Sequence, residues 1–292
     1  MPDRMPAPSC DVQHGNWRGA VLSRRRTHRN LYRGRRWRRF VDRARSGRGM
    51  RLQGKRALVT GAGGAIGGAI ASRLAAEGAM IVATDFDQWR VDQLAKDVPG
   101  ATGIAADLST PDGIAAVADL ASDIDILSVN AGISDGGAAL DEISSDTWNR
   151  VLTLHLGSAF ELSRAVVPGM LAKGGGVMLF MSSVAGLRGG RTGIAYTSAK
   201  WAMVGMAQNI AASLGPEGIR AYALCPGNIA GSIGSASIQF TPRALANRGR
   251  DRLKPPPGRP EDVGNLAAFL VSDEARHMNG VAIPIDGGAL AF

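Results

Sequence analysis

A glycine-rich turn between a short β-branched run and a helical stretch is the feature that most constrains the fold of this chain. The run is RALVT (56–60), the turn is GAGGAIGG (61–68), and small residues at helical spacing follow it. Glycines let a backbone approach a pyrophosphate, and the start of the next helix supplies free amides and a positive dipole end. The turn therefore indicates a βαβ unit that can hold a dinucleotide.

Two well-defined phosphate-binding motifs do not fit this turn. A Walker-type loop needs a Lys after its final Gly, where this chain has Ala69, so nucleoside triphosphate chemistry is disfavoured. The GxGxxG fingerprint needs a third Gly where Ile66 stands. The turn alone is thus a weak indication, and it needs support from elsewhere in the chain.

Short apolar runs alternate with helical stretches from Met50 to the C-terminus. After RALVT the runs are MIVATD (80–85), DILSVNAG (125–132), GVMLFMSS (176–183), IRAYALCPG (219–227) and VAIPIDGG (281–288). Strands that alternate with helices build a parallel sheet covered on both faces. We therefore predict a single doubly wound, Rossmann-like α/β domain over residues 50–292.

The net positive charge of the chain comes from its first 50 residues. They hold 14 Arg, no Lys and three Asp, a formal charge of +11, so the remainder carries −2 of the total of +9. Without a sustained apolar period, residues 1–49 are expected to be a disordered basic tail, and Met50 to be the functional start. A nucleic-acid or anionic-lipid arm and a targeting segment are the alternatives, and we disfavour nucleic acid as a partner.

Apolar content and cysteine spacing exclude several classes of protein. No apolar run approaches the ~18 residues of a membrane span, so we expect no membrane partner and a soluble, cytoplasmic protein. Cys10 and Cys225 are far apart, without a CxxC spacing or a matching cluster of His or Cys. Neither a metal site nor a disulfide framework is predicted.

Asp85 ends the second apolar run, 24 residues after Gly61. A carboxylate there can accept hydrogen bonds from both hydroxyls of an adenosine ribose, whereas it would repel a 2′-phosphate. No Arg or Lys follows in the glycine loop to bind such a phosphate. The cofactor is therefore predicted to be NAD, with NADP less favoured; the alternative is that Asp85 only begins a turn.

Tyr196 and Lys200 lie one turn apart at the start of a helical stretch, so both side chains are expected on one helix face. A nearby cation favours the ionised form of a phenol, which would let Tyr196 exchange a proton with a substrate oxygen. The Ser183 hydroxyl follows an apolar run and can bond the same oxygen. The three residues form a candidate acid-base site.

From Met50 to Phe292 the chain resembles the short-chain dehydrogenase/reductase family. The resemblance rests on motifs in one order: TGAGGAIG (60–67), Asp85, DL (107–108), NAG (130–132), Ser183, YTSAK (196–200), PGNI (226–229), GRPEDV (258–263) and IDGG (285–288). It implies hydride transfer between nicotinamide and a secondary alcohol or ketone. It also implies a homotetramer or homodimer.

The resemblance implies a role for each matched residue. Tyr196 would be the general acid/base, Lys200 would hold the nicotinamide ribose and lower the tyrosine pKa, and Ser183 would orient the substrate. Asp107 would meet the adenine. The implied cofactor-binding residues are Gly61, Gly64, Ile66, Gly67, Asp85, Asp107, Leu108, Asn130, Ala131, Gly132, Tyr196, Lys200, Pro226, Gly227 and Ile229.

Four residues depart from the family pattern. Ala65 stands for a Gly in the turn, Val129 for an Asn, and Gly231 for a Thr that Ser232 could replace. His155 stands for an Asn that helps to hold a water between the Lys and solvent. We include His155 among the catalytic candidates because an imidazole with a pKa near neutrality suits a proton relay; it could equally obstruct the relay, or be kinetically silent.

Substrate identity is not readable from the segment between Ile229 and Gly258. The segment mixes apolar residues that suit a hydrophobic alcohol or ketone with arginines that suit a carboxylate or phosphate, or only face solvent. Two hypotheses of function stay open. The first is an NAD-dependent oxidoreductase with a Ser-Tyr-Lys set, and the second is a dinucleotide-binding redox sensor with little turnover.

Overall fold

Seven parallel strands form one sheet in the computed structural model, which describes residues 50–232, 239–247 and 255–291. In space the strands follow the order β3-β2-β1-β4-β5-β6-β7. Their bounds are β1 Arg56–Thr60, β2 Met80–Asp85, β3 Thr102–Ala105, β4 Ile126–Val129, β5 Gly176–Met181, β6 Ile219–Pro226 and β7 Ala282–Ile285. Strand order reverses between β1 and β4, which opens a crevice at the carboxyl edge of the sheet.

Helices cover both faces of this sheet, as predicted for a doubly wound domain. They are α1 Ala65–Ala76, α2 Gln88–Asp97, α3 Pro111–Ala118, α4 Ser145–Leu152, α5 Ser158–Ala172, α6 Ile194–Leu214, α7 Pro242–Asn247 and α8 Pro260–Val271. Helices α1, α2 and α8 bury their apolar residues against one face. Helices α3, α5 and α6 do so against the other.

Alternate residues of each central strand enter different cores. Val59 of β1 packs with α1 and α8, whereas its neighbour Leu58 packs with the helices of the opposite face. Both side chains are fully buried. A strand that is apolar on both faces reads as a continuous apolar run, which explains why β1, β2, β4, β5 and β6 were predicted correctly.

The edge strand β3 was not among the predicted runs. It pairs with β2 alone, and most of its residues are exposed, so its sequence TGIA lacks a sustained apolar pattern. Gly103 is required there, because a Cβ would overlap the carbonyl oxygen of Ala83 on β2. The pairing of β3 is set by close backbone packing, which an apolar pattern does not reveal.

Some sequence predictions fall outside the described residues. They are the basic tail at 1–49 with Cys10, and parts of the predicted substrate segment at 233–238 and 248–254. Cys225 is described and is a buried free thiol. In the described ranges no helix is both long and apolar enough to cross a membrane, and no three metal-binding side chains cluster together.

Candidate active site

Thr60, the last residue of β1, joins the glycine turn to the loop after β4. Its buried hydroxyl accepts hydrogen bonds from the backbone amides of Asn130 at 2.9 Å and Ala131 at 3.0 Å. The side-chain amide nitrogen of Asn130, Nδ2, donates a hydrogen bond to the carbonyl oxygen of Gly61 at 3.2 Å. The NAG motif and the glycine turn therefore form one rigid rim of the crevice. Thr60 was not among the predicted site residues, since its role depends on β1 and β4 being neighbours.

The glycines of the turn are required by close backbone contacts. Gly61 has a φ of 61°, and a Cβ on Gly67 would overlap the carbonyl oxygen of Gly61. Gly64 precedes α1 without any side chain that caps the helix. The first amides of α1 are therefore left for a ligand, and the turn is a cradle of the kind that accepts a pyrophosphate.

Asp85 is buried at the end of β2 beside this turn. Its carboxylate accepts hydrogen bonds from the amides of Gly63 at 3.0 Å and Asp87 at 3.4 Å. Burial raises the pKa of the Asp85 carboxyl above its usual value, against the effect of these two bonds and of nearby Arg90. The contact of Asp85 with an adenosine ribose stays a prediction.

Arg90 is a basic residue that packs against the glycine turn although it lies outside the loop sequence. A Cβ on Gly63 would overlap the Arg90 Cβ, so α2 packs the base of this side chain against the turn, while its Nε lies 3.7 Å from an Asp87 carboxylate oxygen. Its Cζ also lies 5.3 Å from the centroid of the Phe86 ring. Sequence reasoning missed Arg90 because it examined the loop and not the helix that packs against it.

Three further predicted cofactor-binding residues, Asp107, Leu108 and Ile66, differ in how far their side chains are exposed. Asp107 is exposed, and its Oδ1 accepts hydrogen bonds from the Ser109 amide and hydroxyl, which lower the pKa of its carboxyl. Leu108 is 3% exposed and packs in the core, so it could meet a ligand only through its backbone, whereas Ile66 is only partly buried.

The segment after β6 approaches the crevice from the opposite side. Gly227 donates to the carbonyl oxygen of Ile285 at 3.0 Å, which holds the end of β6, at Pro226, beside the end of β7. Ile229 is buried and pairs with Gly258. The predicted contacts at Pro226, Gly227 and Ile229 therefore rest on a backbone fixed by two neighbouring segments.

Two of the departures from the family pattern face each other. Gly231 has a φ of 69°, a conformation that favours glycine, and a Cβ there would lie 3.2 Å from the Ala65 Cβ. The extra methyl of Ala65 thus occupies space beside the missing side chain of residue 231. Ser232 does not take over as a free hydroxyl, because its Oγ donates to the carbonyl oxygen of Ile229 at 2.7 Å.

Tyr196, Lys200 and Ser183 come together at the carboxyl edge of the sheet, as predicted. Tyr196 lies in the first turn of α6, partly exposed, and Lys200 follows one turn later. The Lys200 Nζ is 5.2 Å from the centroid of the Tyr196 ring. Ser183 lies just beyond β5, where its Oγ accepts a hydrogen bond from the Ala185 amide at 3.1 Å and its hydroxyl is near enough to Tyr196 to lower the pKa of the phenol. The arrangement brings together the Tyr196 phenol, which can give or take a proton, the Ser183 hydroxyl and the Lys200 ammonium.

The expectation that a neighbouring cation lowers the pKa of Tyr196 is wrong for the chain by itself. Although Tyr196 keeps some exposure, burial of the phenol raises its pKa to about 12, and the hydrogen bond to Ser183 opposes this only in part. The charge of Asp135 raises the pKa further. Tyr196 is therefore a protonated phenol at neutral pH.

Lys200 is 2% exposed and lies against the end of β5. Its Nζ donates to the carbonyl oxygen of Met181 at 2.6 Å and lies 3.7 Å from the Met203 sulfur. Burial lowers the pKa of its ammonium to about 7. An amine with three donors and one strong acceptor has donors left for a ligand.

His155 lies in a π-helical turn, Thr153–Gly157, between α4 and α5. The turn points the imidazole into the core, where its Nε2 is 3.0 Å from the amide nitrogen and 2.9 Å from the carbonyl oxygen of Ile133. Its ring is edge-on to Tyr196, with centroids 5.3 Å apart. The Nδ1 atom is buried, and no group in the described part of the chain hydrogen-bonds it.

The expectation that His155 titrates near neutrality is wrong. Burial, and then the charge of Lys200, lower the pKa of the imidazole well below its usual value. His155 is therefore neutral, with one ring nitrogen that donates and one that accepts. It can hold hydrogen bonds in the site, but it cannot store a proton there at neutral pH.

The comparison with known families agrees with this geometry. A family model described as Enoyl-(Acyl carrier protein) reductase matches residues 61–289, which span the glycine turn, the Ser-Tyr-Lys set and the last strand. The chain belongs to the short-chain dehydrogenase/reductase family. The sheet, the crevice and the predicted motifs are those of this family, so the predicted resemblance is confirmed.

Relatives and solved structures cover nearly the whole described domain. 3beta-hydroxysteroid dehydrogenase 2 of Eggerthella lenta is 34% identical over 82% of this short-chain dehydrogenase/reductase and 96% of its own length. The structure of a putative NAD(P) dependent gluconate 5-dehydrogenase from Beutenbergia cavernae, with bound NADP at low occupancy, has a TM-score of 0.74 at 35% identity. It covers 84% of this chain and 100% of that one.

A third comparison concerns a protein solved with the other dinucleotide. The structure of a 3-oxoacyl-[acyl-carrier protein] reductase from Brucella melitensis, with bound NAD, has a TM-score of 0.70 at 29% identity. It covers 82% of this chain and 92% of that one. The two solved structures thus hold different dinucleotides in one fold.

Proposed function

We propose that this protein transfers a hydride between NAD(H) and a secondary alcohol or ketone. The observation that carries the proposal is the convergence of Ser183, Tyr196 and Lys200 in a chain whose glycine turn leads into a helix start without a side-chain cap. Such a site can exchange a proton with a substrate oxygen while a dinucleotide is held against it. The family membership and the names of its relatives support the same chemistry.

Tyr196, Ser183 and Lys200 have different roles in proton transfer. Tyr196 donates its proton to the carbonyl oxygen in reduction and takes it back in oxidation, and Ser183 bonds the same oxygen. Lys200 offers its free donors to the cofactor ribose and its charge to the developing phenolate. When bound, the nicotinamide supplies the carbon that gives or accepts the hydride.

The phenol pKa of about 12 sets what the site must do in oxidation. Alcohol oxidation requires Tyr196 to act as a base, so its ionised form has to be stabilised within the complex. Lys200 is the cation placed to do this, 5.2 Å from the ring centroid. A neutral His155 supports the loop at Ile133 and leaves this role to Lys200.

The dinucleotide is proposed to be NAD. The turn fits a pyrophosphate, because Gly61 and Gly67 let its backbone pack closely and α1 begins at Ala65 without a side-chain cap. Asp85 supports NAD, since a buried carboxylate favours ribose hydroxyls over a phosphate. Arg90 lies close enough to soften this preference, and relatives solved with NADP and with NAD show that the fold accommodates both.

The protein is further proposed to act as a homo-oligomer on a small-molecule alcohol or ketone. Phe160 of α5 and Trp201 of α6 are 53% and 49% exposed, and they are the side chains proposed to meet the second copy. A second copy of the chain would remove both from water. Sedimentation of the purified chain, with Trp201→Glu as the variant expected to dissociate, tests this assembly.

The experiment for the reaction measures formation of reduced nicotinamide from NAD and a panel of secondary alcohols. Tyr196→Phe is the matched control, since it keeps the ring and removes the acid-base hydroxyl. A signal that disappears in Tyr196→Phe supports the proposal. No signal in the whole panel, with NAD binding intact, would favour the redox-sensor alternative instead.

A further inference from the structure

We propose that Asp135 is a positioning residue for Tyr196, whose carboxylate caps α6 from another part of the chain and holds the phenol in place. The proposal rests on the proposed function, since it assigns Asp135 a part in the same site. Asp135 lies in the loop after β4 and was not among the residues that sequence reasoning selected.

The contact that carries this inference is between the Asp135 carboxylate and the backbone of Tyr196. Its Oδ2 accepts a hydrogen bond from the Tyr196 amide at 2.9 Å, across 61 residues of sequence. Its Oδ1 accepts from the Gly137 amide at 3.0 Å, which fixes the orientation of the carboxylate. Asp135 is 5% exposed, so this charge is largely hidden from water.

A comparison with other helices of the protein shows that this bond replaces an ordinary cap. Thr110 and Ser144 cap α3 and α4 from their own N-cap positions, each by accepting from the amide of the third helical residue. The N-cap of α6 is Gly193, which has no side chain to do this. Asp135 accepts from the corresponding third amide of α6, which belongs to Tyr196 itself.

Gly193 is required by this arrangement. A Cβ at Gly193 would overlap both carboxylate oxygens of Asp135, so the chain can hold a side chain at the helix start or the carboxylate, but not both. The same loop makes a second bond to α6, from the Ile194 amide to the carbonyl oxygen of Ala138 at 3.0 Å. The start of α6 is thus fixed to the loop after β4 at two points.

The loop therefore sets the position of the phenol relative to the rest of the site. It contacts His155 at Ile133 and Tyr196 at Asp135. A capping side chain within α6 would stabilise the helix equally well, but it would not tie Tyr196 to the rim of the crevice. A negative charge at this place also favours the protonated phenol, which separates a positioning role from simple stabilisation.

The charged and titratable groups that face Tyr196 come from three described segments. Lys200 reaches it from α6, His155 from the π-helical turn, and Asp135 from the loop after β4. Of these, His155 is neutral, and Lys200, whose pKa is about 7, is neutral as well at the high pH where the phenol ionises. Among these three groups Asp135 alone is then charged, so removing its charge should lower the pKa of the phenol.

The test is Asp135→Asn, which keeps an oxygen acceptor for the Tyr196 amide and removes the charge. Tyrosinate absorbance after a rapid pH jump reads the ionisation of Tyr196 before the chain unfolds, with Tyr196→Phe subtracting the other tyrosines. We expect the pKa of Tyr196 to fall by about 0.5–1 unit. Asp262→Asn, which removes the carboxylate that bonds the Arg259 amide at the start of α8, is the matched control and should leave the titration unchanged.

A folded Asp135→Asn variant with an unchanged Tyr196 titration would overturn the proposal. If Asp135→Asn does not fold, Asp135→Ser offers a smaller neutral acceptor for the same measurement. If neither variant folds, Asp135 has a purely structural role, and the positioning proposal is overturned. Because the titration needs no substrate, it stays readable if the proposed reaction is wrong. With an active substrate, Asp135→Ala should also lower turnover by about 10- to 100-fold, as expected for a displaced acid-base group.

Discussion

Gly132 and His155 are packed so closely that a Cβ on Gly132 would overlap the imidazole Cε1. The imidazole thus fills the space above the NAG motif, and Gly132 is the residue that admits it. The contact places a buried neutral ring between the NAG motif and Tyr196. It also makes the consequences of His155 measurable without a known substrate.

Gly132→Ala should destabilise the protein because the added methyl forces the imidazole or the rim to move. We expect a loss of about 1–3 kcal/mol in the free energy of unfolding, the usual cost of overpacking a core. Urea denaturation measures it. Gly189→Ala is the control, since a Cβ there meets open space and its φ is not positive. Equal stability of the two variants would show that His155 does not occupy the space above Gly132.

His155→Asn should change how stability depends on pH. The imidazole binds a proton in the unfolded chain below about pH 6.5 but stays neutral in the native state, where its pKa is well below that value. The unfolded state therefore holds the extra proton. The free energy of unfolding of the wild type should fall by up to about 1.4 kcal/mol per pH unit below about pH 6.5. Asn cannot titrate, so urea midpoints of the two proteins should diverge as pH falls; parallel curves would mean that His155 is charged in the native state.

Lys200→Met should stabilise the protein while removing activity. With a native pKa of about 7 and an ordinary value of 10.5, the buried ammonium costs stability in full below pH 7, and the cost fades as pH rises toward 10.5. We expect a gain of about 1–3 kcal/mol at pH 7 and a smaller one at higher pH. Thermal melts across that range test it, and a variant less stable than the wild type at pH 7 would contradict it.

Asp85 and Arg90 should act in opposite directions on cofactor choice. The wild type should bind NAD more tightly than NADP, and Asp85→Ala should narrow that difference by weakening NAD. Arg90→Ala should weaken NADP more than NAD, because only NADP offers the 2′-phosphate a guanidinium can bind. Titrations with the fluorescent reduced forms, NADH and NADPH, measure both affinities for each protein. Lys96→Ala removes an exposed charge from the same helix and should change neither, whereas equal affinities of the wild type for both cofactors would refute the NAD assignment.

The parts of this structure that sequence alone predicted are those that local pattern determines. Central strands such as β1 are apolar on both faces, so their runs are continuous and their positions were predicted well. Tyr196 and Lys200 share a face because helical spacing requires it. The exposed edge strand β3 has no such pattern and was missed.

The parts that sequence did not predict depend on which segments meet in space. Arg90 reaches the glycine turn from α2, and Asp135 reaches Tyr196 from a loop 61 residues away. The exchange of side-chain volume between Ala65 and Gly231 is likewise visible only after folding. Both pKa corrections, at Tyr196 and His155, arise from burial, which spacing along the chain does not report.

Direct transfer of deuterium tests the central claim most closely. A secondary alcohol that turns over in the panel is labelled with deuterium at its carbinol carbon, and the reduced nicotinamide formed by the protein is analysed by mass spectrometry. Hydride transfer at the Tyr196 site predicts one deuterium in the reduced cofactor, and no product from Tyr196→Phe although that variant still binds NAD. Reduced cofactor without deuterium, or undiminished product from Tyr196→Phe, would contradict the account.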